Sequence, residues 1–177
     1  RMHRSYTFER FLRRLGAAIM NIRKITFGNF KSLYNAAFEP GKVNVFIGAN
    51  GSGKTTILEA IGLLSAAMTD RVDSSSLQRK GVRLSIPSLY KSSFKDLKRQ
   101  RSMIDLSLEW EDDCCTDKFR YDVHLTTPTD TDYWKYHSEA FLQNGEKIWG
   151  RSNASLQQSL VTEQLPSDIQ FQPVTAL

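Results

Sequence analysis

Residues 48–56, Gly48-Ala49-Asn50-Gly51-Ser52-Gly53-Lys54-Thr55-Thr56, constrain this chain more than any other stretch. They satisfy the pattern G-x-x-x-x-G-K-[ST]. An apolar run, Val43-Asn44-Val45-Phe46-Ile47, precedes them, and an amphipathic segment over 54–68 follows. Strand, glycine-rich loop and helix in that order is the context a phosphate-binding loop requires. Glycines at 48, 51 and 53 let the backbone curl so that amide N–H groups point inward, where the start of the helix adds its positive end. Lys54 then suits the β- and γ-phosphates of a nucleotide, and the Thr55 hydroxyl suits a Mg²⁺ ion bridging them.

The rest of the composition limits the alternatives. With 177 residues, 40% hydrophobic and 24% charged, the chain is long enough for one domain with a core of its own. No apolar run reaches the length of a bilayer span. The two cysteines, Cys114 and Cys115, are adjacent, which suits neither a mutual disulfide nor a zinc site, so a reducing, cytoplasmic setting is expected. The net charge of +5 is unevenly spread: residues 71–101 hold nine basic and two acidic residues, and residues 105–139 hold three basic and ten acidic. The basic block, with Lys95, Lys98, Arg99 and Arg101 at its end, suits nucleic-acid phosphates. It equally suits a solvated surface facing an acidic one.

Residues 1–19 are Arg-rich and read as a leader or read-through, with Met20 as the natural start. The remainder, 20–177, reads as one partial domain. Strands are expected at 21–27, 34–38 and 43–47, and the helix over 54–68 should bury Ile57, Leu58, Ile61, Leu64 and Met68 on one face. Glu59 on that helix reads as solvated or paired, not catalytic. Residues 69–102 suggest a long basic loop or inserted subdomain. A β-meander follows over 104–151, with strict alternation at 104–110, a strand at 119–125, and a hairpin of 133–141 with 147–151 about Asn144-Gly145. A short helix is plausible at 154–161.

The loop G-A-N-G-S-G-K-T-T, the upstream I-R-K-I-T-F-G-N-F-K-S-L (22–33) and the downstream T-I-L-E-A-I (56–61) together resemble the N-terminal half of ABC-type ATPase heads. These are the AAA family ATPases of the SMC/RecF/OLD-like class, which are P-loop NTPases. The resemblance is clear over 20–68 and rests on strand pattern alone over 104–151. It implies an α/β fold: the first lobe of such a head, with a mixed sheet and an antiparallel β layer. It implies ATP and Mg²⁺ as cofactors, held by Gly48, Asn50, Gly51, Ser52, Gly53, Lys54, Thr55 and Thr56, with Thr55 on the metal. Lys31 and Ser32 match an F-K-S run of family members near the nucleotide, or else simply end the first strand and open a turn. The intact protein is expected to hydrolyse ATP as a homodimer, working on DNA or with a partner nuclease in DNA repair or anti-phage defence, away from membranes.

Two family motifs are missing. An apolar run ending in Asp-Glu (Walker B) would hold Mg²⁺ and activate water, and a Ser-Gly-Gly signature would complete the partner's site. Met103-Ile104-Asp105 imitates the first, but it continues in alternation as a strand with Asp105 outward. Ser74-Ser75-Ser76-Leu77 lacks the glycines of the second. The sequence therefore reads as truncated before the catalytic half, and the chain alone should bind ATP with little turnover. A phosphate-loop kinase or GTPase, or an inactive nucleotide-binding fragment, remains an alternative. No metal-sensing glutamine can be singled out among Gln143, Gln157, Gln158, Gln164, Gln170 and Gln172. His124 and His137 lack metal-ligand partners. Trp110, Trp134, Trp149, Tyr121, Tyr133 and Tyr136 have the spacing of a sheet core more than of a base-stacking surface.

Overall fold

In a computed structural model of the chain, the described residues are 20–69, 72–94, 102–112, 117–126 and 134–152. Alternation of apolar and polar residues produces a six-stranded sheet: β1 (Met20–Gly28), β2 (Ala36–Phe38), β3 (Met103–Asp112), β4 (Lys118–Thr126), β5 (Lys135–Gln143) and β6 (Glu146–Ser152). Their order is β2-β1-β3-β4-β5-β6, and every pairing is antiparallel. The register sets one face apolar. Ile104 lies opposite Leu125, Leu106 opposite Val123, Leu108 opposite Tyr121 and Trp110 opposite Phe119, and all of these are buried. Trp110, Phe119 and Phe141 pack ring to ring at 5.5–6.0 Å between centroids. On the other face Arg120 reaches Asp122 at 2.8 Å and Glu109 at 3.7 Å. The hairpin between β5 and β6 turns on Asn144 and Gly145 at φ 51° and 87°, the left-handed pair that a two-residue Asn-Gly turn requires.

Helix α1 (Lys54–Thr69) joins the core through Ala60, Leu63, Leu64, Ala66 and Ala67. Small side chains let it approach closely. At Gly62 a Cβ would stand 2.6 Å from the Lys80 carbonyl oxygen and 2.8 Å from Val82. Near its C-terminus, where helix carbonyls lack internal partners, the Ala67 carbonyl accepts from the Tyr136 hydroxyl at 3.0 Å, and the Tyr121 hydroxyl oxygen lies 3.4 Å from it. Tyr121 donates its hydroxyl proton to the buried Glu139 at 2.6 Å, and Arg151 neutralises Glu139 at 2.5 Å. Burial first, then the Glu139 charge, pushes the Tyr121 phenol well above its usual range. The region read as a loop or insertion contains a short helix, α2 (Ser74–Arg79), and a 3-10 turn at Pro87–Tyr90. A capping box starts α2: Asp73 accepts from the Ser76 amide at 2.8 Å, and Ser76 Oγ accepts from the Asp73 amide at 3.1 Å.

Three expectations need correction. Residues 43–47 carry no strand pairing, and Val43, Val45 and Ile47 are 82%, 75% and 91% exposed. A strand exists only where another backbone accepts its hydrogen bonds, and no described strand runs beside this one. For the same reason the described sheet is wholly antiparallel and not mixed. The buried face of α1 is also rotated. Leu64 is buried as expected, but Leu58 is 58% exposed and Ile57, Ile61 and Met68 are half-buried, while Glu59, Ala60, Leu63, Ala66 and Ala67 turn inward. The residues with small side chains, not the largest apolar ones, sit where the helix comes closest to its neighbours. The expected helix at 154–161, the leader 1–19, Tyr133, both cysteines, and Lys95, Lys98, Arg99 and Arg101 lie outside the described residues.

Candidate functional site

The phosphate-loop pattern folds into a tight turn that its glycines make possible. Gly51 and Gly53 sit at φ 83° and 91°, a backbone region that costs other L-residues roughly 1–2 kcal/mol. A Cβ on Gly48 would come within 2.7 Å of Ser52 Oγ. The Ser52 amide donates to the Ala49 carbonyl at 3.2 Å, closing the turn, and the Ile57 amide donates to Gly53 at 3.1 Å, opening α1. Lys54 folds back over the loop, its Nζ donating to the Gly48 and Ala49 carbonyls at 2.6 and 2.7 Å and lying 3.3 Å from Ser52 Oγ. Asn50 and Thr55 are exposed, and Thr56 is half-buried. A loop of this shape, with amides, a lysine and a hydroxyl at the start of a helix, can hold a polyanion and an oxygen-seeking cation.

Lys31 and Ser32 arrive from a separate turn. Phe30 and Leu33 exchange backbone hydrogen bonds at 2.9 and 2.7 Å, which forces Lys31 to φ 48°, with Asn29 at φ 66°. Asn29 is buried and ties the turn to both sides, donating to the Met103 carbonyl at 2.7 Å and accepting from the Ser92 amide at 3.2 Å. The turn carries Ser32 against the phosphate loop: a Cβ on Gly53 would stand 3.0 Å from Ser32 Oγ. Lys31 points elsewhere, to Glu59 on α1, at 2.6 Å. Glu59 is 1% exposed, and Arg83 binds its other oxygen at 2.7 Å. Burial works against the Glu59 charge, but hydrogen bonds from Arg83 and Lys31 outweigh it and hold the carboxyl below its ordinary value. Glu59 is thus paired and buried, and it links the F-K-S turn to α1, a role the sequence reading did not assign it.

The other tempting residues lie away from the loop. Asp105 faces outward as expected and pairs with His124 across β3 and β4 at 2.6 Å. Trp110, Trp134, Trp149 and Tyr121 are buried core residues, and Tyr136 packs against that core. Gln143 belongs to the β5–β6 hairpin, where it donates to Asp117 at 2.9 Å. Among the described residues no group of three His, Cys, Asp or Glu side chains is placed to hold a metal ion.

Comparison with known proteins agrees with this arrangement. A family model described as an AAA ATPase domain matches residues 20–162, which include the whole sheet and the glycine-rich loop. The chain belongs to this AAA ATPase family. Within it the chain is an N-terminal region of the SMC/RecF-like kind. It is 36% identical over 76 residues to the DNA replication and repair protein RecF of Phocaeicola vulgatus, an alignment covering 41% of the chain and 20% of that protein. It is 36% identical over 78 residues to the DNA double-strand break repair Rad50 ATPase of Saccharolobus solfataricus, covering 44% of the chain and 9% of that protein. With RecF of Marinomonas the identity rises to 47% over 47 residues, covering 26% of the chain and 13% of the relative. The matched region is thus a fifth or less of each relative. No helix of this ATPase-family chain, among the described residues, is long and apolar enough to cross a membrane.

Proposed function

We propose that the chain binds ATP with Mg²⁺ through residues 48–56, as the first lobe of an ABC-type ATPase head whose intact form hydrolyses ATP in the service of DNA repair. The observation that carries this reading is the loop itself, with its left-handed Gly51 and Gly53, its lysine and its helix start, within an AAA ATPase-family chain. The amides of Asn50, Gly51, Ser52 and Gly53, and those at the start of α1, cradle the phosphates. Lys54 exchanges its loop carbonyls for phosphate oxygens, and Thr56 completes the first turn. Mg²⁺, held in part by the Thr55 hydroxyl, neutralises phosphate charge when bound. Ser32 borders the same loop, and Lys31 supports it through Glu59.

The first-lobe reading is supported by the surface left uncovered. Val43, Val45 and Ile47 lead into the loop with their apolar side chains exposed, and Leu58 stands exposed on α1. A second layer of the fold, supplied by a longer chain, would pair the 43–47 backbone and cover Leu58. DNA as a partner is supported by the RecF and Rad50 relatives and by the basic block, a homodimer by the resemblance to SMC-type heads. The decisive test is Mg²⁺-dependent ATP binding by the chain and by Lys54→Ala. Loss of at least tenfold in affinity is expected, about the weight of one charged hydrogen-bonding group, and equal affinity of the two proteins overturns the reading. Competition by GTP separates it from a GTPase.

A further inference from the structure

Glu59 closes a circuit of interactions that binds three distant segments together. Its Oε2 accepts from Lys31 Nζ at 2.6 Å. The Lys31 backbone amide donates to the Tyr90 carbonyl at 2.8 Å. The Tyr90 hydroxyl donates to the Arg83 carbonyl at 2.8 Å and accepts from the Ser85 amide at 2.9 Å. Arg83 then returns to Glu59, its Nε donating to Oε1 at 2.7 Å and its backbone amide to the same oxygen at 3.3 Å. Lys31 Nζ also sits 5.0 Å from the centre of the Tyr90 ring, and Tyr90 stacks on Phe30. A buried carboxylate is tolerated only with such partners. Here each partner lies on a loop that has no strand or long helix to fix it.

We propose, on the reading of residues 48–56 as the ATP site, that Glu59 is a positioning residue for that site: through Lys31 it holds the 29–33 turn so that Ser32 stays against Gly53, and through Arg83 it holds the 83–90 loop that buttresses the turn. Glu59 itself sits in the second turn of α1 and touches no part of the phosphate loop in any hydrogen bond or ion pair described. Its effect reaches the loop because Lys31 and Ser32 are consecutive and the turn that carries them is stiff. A carboxylate serving only to stabilise the core would affect folding alone. One that positions Ser32 must affect nucleotide affinity, and only while Ser32 is present.

The test is a double-mutant cycle on the full 177-residue chain, with Glu59→Gln, Ser32→Ala and the double variant, reading Mg²⁺-ATP affinity and the urea midpoint for each. Both single variants are expected to weaken ATP binding about tenfold, and the double variant about as much as one of them, because residues that act through one contact are not additive. Wild-type affinity in Glu59→Gln, with or without a lower urea midpoint, overturns the proposal, as does a double variant that multiplies the two losses. Should Glu59→Gln not fold, Arg83→Gln opens the same circuit at a largely exposed side chain and is read by the same cycle with Ser32→Ala. Failure of the unmutated chain to bind ATP would instead sink the underlying ATP reading, so the two failures are distinguishable.

Discussion

Alanine at Gly51 and at Gly53 separates two physical demands on the phosphate loop. Both residues have left-handed backbones, φ 83° and 91°, so each alanine should cost roughly 1–2 kcal/mol from the clash of its Cβ with the backbone. For a chain of this size that corresponds to a fall in melting temperature of about 2–8 °C. The surroundings differ. A Cβ on Gly51 would meet nothing within 4 Å, whereas one on Gly53 would stand 3.0 Å from Ser32 Oγ. Gly53→Ala therefore also requires Ser32 Oγ to give way by a few tenths of an ångström, at up to about 0.5–1.5 kcal/mol more, the cost of a strained rotamer. Gly53→Ala combined with Ser32→Ala should recover that increment and fall back to the level of Gly51→Ala. Urea and thermal unfolding read the stability, and Mg²⁺-ATP titration reads the loop. Strain that the loop retains appears as lost stability, and strain that it relieves by changing shape appears as lost affinity. Wild-type values of both quantities in Gly51→Ala and Gly53→Ala would refute the left-handed loop. An unchanged gap between the two positions after removal of Ser32 would refute the contact.

Two further outcomes follow from the sheet. Tyr121→Phe removes a donor from Glu139, which is 4% exposed, so the variant should lose about 1–3 kcal/mol in urea unfolding, the usual cost of a buried polar group left short of a partner; a midpoint within error of wild type would show that Arg151 alone satisfies the carboxylate. The His124 imidazole is held above its ordinary value chiefly by its hydrogen bond to Asp105. A group with a raised folded value adds stability in full below its unfolded value, about 6.5, and loses it as pH rises through the folded value. The urea midpoint should therefore carry a component that declines as pH rises above about 6.5 and disappears in Asp105→Asn; an identical pH profile in that variant would refute the pairing.

The strands and the loop were legible because their signals are local. Strict alternation at 104–110 placed Asp105 outward, as it stands in β3, and Asn144-Gly145 marked the hairpin of β5 and β6. The glycine-rich pattern marked the tight loop, in which Gly51 and Gly53 take positive φ, and the start of α1. The circuit around Glu59 was not legible in the same way, since it joins residues 31, 59, 83 and 90 by contacts that no spacing encodes. One signal did point to it: Glu59 is the only charged residue between Lys54 and Thr69. A single charge in a helix otherwise made of apolar and small residues is a charge that needs a buried partner. The rotated face of α1 escaped notice for a related reason. Apolar periodicity finds the larger side chains, but close packing selected Ala60, Gly62, Ala66 and Ala67.

The segment 43–47 shows where pattern and structure part. Val43-Asn44-Val45-Phe46-Ile47 is an apolar run and Ile104 to Trp110 alternates, and both patterns are ordinary for strands, yet Val43, Val45 and Ile47 are exposed while Ile104, Leu106 and Leu108 are buried. The difference lies in backbone partners: β3 has β1 on one side and β4 on the other, whereas 43–47 has none among the described residues. An apolar run reports that a segment can be paired and covered, not that its partners are present. The consequence bears on the candidate site. The phosphate loop is anchored after Gly53 by α1 and at its flank by Ser32, but the stretch that enters it has no backbone partner among the described residues and is held by Phe46 against Phe38, at 5.9 Å between ring centroids. The circuit through Glu59, Lys31, Tyr90 and Arg83 therefore carries a larger share of the loop's positioning than it would if 43–47 were paired on both edges. A backbone partner for 43–47 would stiffen the same loop from its other end.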